Sequence, residues 1–99
     1  MSLNIEKNLA DTTTLALSGR LDTTTAPDFE KTLTEVLPET SDLVFDLEKL
    51  EYISSAGLRV ILKAQKTMSA KGSLKLLHVP ESIMEVFEIT GFTDFLTIE

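Results

Sequence analysis

Ninety-nine residues, 42% of them apolar and 25% charged, make one small globular domain spanning residues 1–99, with one core and no second. Sixteen acidic against nine basic side chains give a formal charge of −7, which opposes a nucleic-acid backbone or an anionic membrane as main partner. The chain has no cysteine, which excludes disulfides, thiolate metal sites and cysteine nucleophiles. No apolar run approaches the roughly 20 residues of a membrane span or forms a signal-peptide core, so a cytoplasmic location is expected.

The elements alternate along the chain. "LNIEKNL" sets Leu3, Ile5 and Leu9 on one face, and "TTTLALSG" places Leu15 and Leu17 in a threonine-rich strand, so an antiparallel hairpin closing near Asn8 to Asp11 is expected. A helix start follows, with Thr25 near the N-cap, Pro27 in the first turn, and Asp28 and Glu30 suited to the positive end. Phe29, Leu33, Val36 and Leu37 recur at helical spacing until Pro38 ends the run.

"SDLVFDL" reads as a buried strand, with "DLEKLE" as a solvated loop after it. A helix from about Ala56 to Lys71 is stopped by Gly72 in the C-terminal position. "SLKLLHV" is a third interior strand, which Pro80 prevents from continuing. "ESIMEVFEIT" is a helix with Ile83, Val86 or Phe87, and Thr90 on one side, closed by Gly91, and "FTDFLTIE" ends in a turn and an edge strand. The fold class is α/β: a mixed four- to five-stranded sheet with about four helices packed on it.

The junction "LEYISSAGLRVIL", residues 50–62, carries more hydroxyls than a helix start needs. At about 100° per residue, Gly57, Val60, Ile61, Ala64 and Met68 share the core-facing arc. Leu58 and Leu62 fall off its edge on the side of Ser55, and Arg59, Lys63 and Lys66 occupy the neighbouring sector. Three readings compete. In the first, Ser54 or Ser55 is a helix cap and nothing more. In the second, strand, serine and helix form the nucleophile elbow of a serine hydrolase, although Ile53 stands where that motif has glycine and His78 is the one available base. In the third, a phosphate on Ser55 is tolerated by the positive end of the helix while its charge blocks an apolar contact through Leu58 and Leu62.

"GRLD" at 19–22, "LVFDLEKLEYI", "SSAGLRVIL", "LKLLHV" and "VFEITGFTDFLTI" occur in an order that resembles the STAS domain family, specifically the stand-alone bacterial anti-sigma factor antagonists. The resemblance implies a non-enzymatic regulator without cofactor or metal. Unphosphorylated, such an antagonist binds an anti-sigma factor that is itself an ATP-dependent serine kinase and so releases the sigma factor. A PP2C-type phosphatase resets the cycle. The family pattern places Ser54 at an aspartate, Ser55 at the first hydroxyl and Ala56 at the second, followed by Gly57 and Leu58. It therefore implies Ser55 as phosphoacceptor, with Ser54 ranked behind it, and adds Asp22 to the surface given by the helical projection, so that the expected partner surface is Asp22, Ser54, Gly57, Leu58, Arg59 and Leu62. Two further readings remain beside it: a docking subunit of a lipid transport ATPase complex or a stress-sensing assembly, and the serine hydrolase.

Asp46, Glu48 and Glu51 lie close together in sequence but read as solvated charges rather than a metal site, and His78 reads as a satisfied strand residue.

Overall fold

The computed structural model describes residues 3–99. Five strands form one sheet in the order β1-β2-β3-β4-β5: β1 (Leu3–Leu9), β2 (Thr13–Leu21), β3 (Asp42–Ile53), β4 (Ser73–Leu77) and β5 (Thr97–Ile98). β1 and β2 are the expected antiparallel hairpin, and every later pairing is parallel. The hairpin turn, residues 10–12, overlaps the expected place but starts two residues later, because Leu9 still pairs with Thr13, and Leu9 is exposed rather than on the buried face.

Three α-helices connect the parallel strands: α1 (Ala26–Val36), α2 (Ser55–Ser69) and α3 (Glu81–Thr90). Two short 3-10 turns follow α1 and α3. Alternation builds the core. Leu15, Leu17 and Leu21 of β2, Leu43, Phe45 and Leu47 of β3, and Leu74 and Leu76 of β4 are buried with Phe29, Leu33, Ile61, Met68, Ile83 and Phe87 of the helices. Phe29 meets Phe45 edge to face at 5.3 Å, which ties α1 to the middle of the sheet.

Where β3 ends is the main departure from the sequence reading. The run 46–51 is not a loop: β3 continues to Ile53, because β2 offers it a ladder as far as Leu21. The parallel register shifts between Ala16 and Ser18 and again between Gly19 and Arg20. Gly19, with φ 97°, occupies the second irregularity, a backbone state that glycine reaches without steric cost. After it, Leu21 pairs with Ile53 and the Ser54 N–H bonds the Leu21 carbonyl at 2.9 Å, so the ends of β2 and β3 are brought level.

Gly72 stands three residues past the end of α2, where its N–H still donates to the Met68 carbonyl at 2.7 Å. The helix ends at Ser69, and a Cβ on Gly72 would stand 1.8 Å from the Ser41 carbonyl oxygen, so this glycine admits the backbone before β3. Left-handed Gly91 ends α3 as expected, whereas Thr90 is exposed and returns its hydroxyl to the Val86 carbonyl at 2.7 Å.

Candidate functional site

The level ends of β2 and β3 place Asp22 and Ser54 side by side, each at the start of a connection into a helix. At α1 the N-cap position is Thr25, which makes no side-chain capping bond; the Asp22 carbonyl accepts the Ala26 N–H at 2.8 Å, and the Asp22 carboxylate holds the turn before the helix. Its Oδ1 accepts the Thr24 N–H at 3.0 Å, the Thr25 N–H at 3.1 Å and the Thr24 hydroxyl at 2.7 Å. The Thr25 hydroxyl faces backwards, donating to the Arg20 carbonyl and accepting the Asp22 N–H, both at 2.8 Å. The Thr24 hydroxyl first, opposed by partial desolvation and helped by the Thr25 and Thr24 amides, holds the Asp22 carboxyl below its ordinary range. Arg20 stacks its guanidinium on Tyr52 at 4.2 Å and sets Nε 3.9 Å from Asp22 Oδ2.

At α2 the two serines have different places. Ser54 is the N-cap: it is extended (φ −99°, ψ 174°), half-buried, and its Oγ accepts the Gly57 N–H at 3.3 Å. Ser55 is the first helical residue and is exposed. Gly57 is buried, and a Cβ there would meet Leu21 Cγ at 2.6 Å and Ile53 Cγ1 at 3.1 Å. This position brings the first turn of α2 down onto the strand ends. Gly57 thus positions the surface from below and cannot itself touch a partner.

Leu58 departs from the expected ridge. It is 6% exposed and belongs to the core, while Leu62 is half-buried at the surface. The apolar surface nearest the start of α2 is instead a groove of about 490 Å³ between α1 and α2, lined by Ala26, Pro27, Ala56 and Leu62 together with Arg59 and Lys63; Ser55 precedes its residue Ala56. Lys63 bonds Glu30 across it at 2.9 Å. Of the residues implied for the partner surface, the structure gathers Arg59 and Leu62 on this groove. It places Asp22 and Ser54 at the strand ends and withdraws Gly57 and Leu58 into the interior. Ala56 and Pro27 are the additions. The i, i+4, i+7 row Ala56, Val60, Lys63 marks the groove side of α2, but only the position of α1 makes it a groove.

His78 also departs from its expected place. β4 stops at Leu77, and His78, exposed with φ 57°, points its Nδ1 at Asp46 Oδ1, 3.0 Å away. Partial burial works against the Asp46 carboxylate but is outweighed by the His78 hydrogen bond, the Glu48 N–H and the charges of His78 and Lys49, so its pKa is lowered. The bond to Asp46, then its charge, raises the pKa of His78. Asp46 alternates with buried Phe45 and Leu47 and so faces away from the helices, roughly 25 Å along β3 from the serine junction. The chain's one histidine therefore cannot act as a base on Ser55, which removes the hydrolase triad.

Sheet and junction together define a small α/β domain that presents the exposed Ser55 hydroxyl at the start of α2, one residue from an apolar groove. The STAS domain family model matches residues 3–99, and the chain belongs to that family. Over 101 residues it is 33% identical to the anti-sigma-B factor antagonist of Staphylococcus aureus (strain NCTC 8325 / PS 47), covering 99% of this chain and 94% of that protein. Among solved structures, an anti-sigma factor antagonist from Mycobacterium paratuberculosis superposes with a TM-score of 0.88 at 21% identity, covering 98% of this chain and 85% of that one. The Bacillus cell fate determinant SpoIIAA in its phosphorylated form superposes with a TM-score of 0.75 at 18% identity, covering 99% and 91%. At these identities the structural matches establish the fold. Among the described residues, no helix is long and apolar enough to cross a membrane.

Proposed function

We propose that this chain is an anti-sigma factor antagonist switched by phosphorylation of Ser55. In its unphosphorylated form it binds an anti-sigma factor serine kinase through the α1–α2 groove and the neighbouring strand ends, and so frees the sigma factor. The kinase transfers the γ-phosphoryl group of ATP to the Ser55 Oγ, the hydroxyl proton is lost, ADP leaves, and a PP2C-type phosphatase hydrolyses the ester. The observation that carries the reading is the division between the serines. Ser54 accepts the Gly57 N–H, so Ser55 can be modified without dismantling the helix start. A phosphate brings about −1.5 to −2 charges to a position one residue from Ala56 of the groove. The start of α2 tolerates that charge, whereas a partner pressed against Ala56 and Leu62 does not.

The 33% identity to an anti-sigma-B factor antagonist over nearly the whole chain supports the same assignment. A pull-down from the native host with wild-type, Ser55→Ala and Ser55→Asp baits tests it. Wild type and Ser55→Ala should retain a histidine-kinase-like ATPase that Ser55→Asp loses. A partner retained equally by all three identifies a constitutive docking subunit instead. Stoichiometric phosphate on Ser55→Ala would move the acceptor to Ser54.

A further inference from the structure

On the sheet face turned away from the helices, the end of β4 stands against the middle of β3, where Leu77 pairs with Asp46. His78 leaves the strand with φ 57°, a left-handed state that is uncommon outside glycine. That turn carries the imidazole onto Asp46, with Nδ1 3.0 Å from Oδ1. The same oxygen accepts the Glu48 N–H at 3.1 Å, which holds the carboxylate in place. One donor atom each from Asp46, Glu48 and His78 lies within 4.8 Å of the others. An exposed imidazole–carboxylate pair contributes little to stability, so stability alone does not account for the unusual backbone state.

We propose that Asp46, Glu48 and His78 bind a divalent transition-metal ion of the zinc class. One imidazole nitrogen with two carboxylate oxygens is a donor set such ions accept, and the nitrogen disfavours Mg²⁺ and Ca²⁺, which prefer oxygen shells. Two donors each about 2.1 Å from one ion are about 3.0 Å apart at a right angle and about 3.4 Å apart at the tetrahedral angle. The Nδ1 to Oδ1 spacing therefore matches that of two ligands on one ion, which sits about 1.5 Å off the line between them, so the ring gives up its Nδ1 hydrogen and turns by about 45° to face it. Two ligands of one such ion are at most about 4.2 Å apart, so the exposed Glu48 side chain closes the remaining gap by rotation. A recess of about 280 Å³, lined by Asn4, Glu6, Ser18, Asp46, Glu48 and Lys49, adjoins the carboxylates and has room for water to fill the open positions. Lys49 opposes the cation, so the site is a weak one that loads reversibly.

The chain has a single histidine, so its ring nitrogens give one set of NMR signals. Titrating the tag-free chain with ZnCl₂ should shift those signals saturably with one-to-one stoichiometry, and MgCl₂ should leave them in place. Asp46→Asn and, separately, Glu48→Gln should each weaken zinc binding by about tenfold or more. Glu48 is exposed, so its variant provides the reading should Asp46→Asn fail to fold, with the amide spectrum reporting the fold in each case. The absence of a saturable shift overturns the site. So does an affinity that neither substitution changes, because the imidazole then binds zinc alone.

Discussion

Ser54 Oγ accepts the Gly57 N–H at 3.3 Å, and this bond separates two adjacent serines into a cap and an exposed hydroxyl. The bond also fixes the start of α2 at Ser55, one residue earlier than the sequence places it.

Ser54→Ala should cost about 1 kcal/mol, the ordinary worth of an N-cap, and lower Tm by about 4–8 °C in a domain of this size. Ser55→Ala should stay within about 0.5 kcal/mol of wild type, because the side chain is exposed. Thermal unfolding followed by circular dichroism separates the two. If Ser55→Ala is the more damaging change, the capping assignment is wrong.

Gly57→Ala should destabilise by about 1–3 kcal/mol, because the added methyl group meets Leu21 Cγ at 2.6 Å in a packed interior. Leu21 is fully buried and cannot move aside freely. Urea unfolding gives the value. A neutral result would mean that α2 lifts off the strand ends at little cost, and then partner binding should weaken in its place.

Leu58→Ala should cost about 2–5 kcal/mol, as for any truncated core leucine. Leu62→Ala should leave stability within about 1 kcal/mol and reduce capture of the proposed partner, since Leu62 lines the groove. Paired measurements of unfolding midpoint and binding should assign the two leucines to different roles. Equal effects on both would restore the exposed ridge that the helical projection suggests.

Asp22 sets an acid dependence. Its pKa is lowered in the folded state, so its contribution to stability is present above its ordinary value of 3.8 and is lost as pH falls through the folded value. Asp22→Asn should flatten the loss of stability as pH falls from about 3.8 through the lower folded value. Urea midpoints measured across that range test it, and parallel slopes for the two proteins would remove Asp22 as the source.

Much of this architecture was legible in the sequence because it depends on local rules. Alternation in "TTTLALSG" and helical spacing from Phe29 to Val36 mark elements that meet the core, and Pro27 and Gly91 mark where two helices begin and end. "SSAGLRVIL" is the most specific of the five stretches that together indicate the family, since a serine, a glycine and a leucine at that entrance serve capping, close approach and packing at once. What tertiary structure alone decided are matters of distance between segments remote in sequence. A helical projection gives the direction of Leu58 but not the width of the buried arc, which the sheet and α1 extend by packing against α2 from two sides. The charged run 46–51 resembles a loop until β2 supplies hydrogen-bond partners for it as far as Ile53. Asp46 and His78 are 32 positions apart and meet because two parallel strands set them side by side and one backbone angle turns the ring inward. The residue types carried the chemistry, and the sheet register determined which of them stand together.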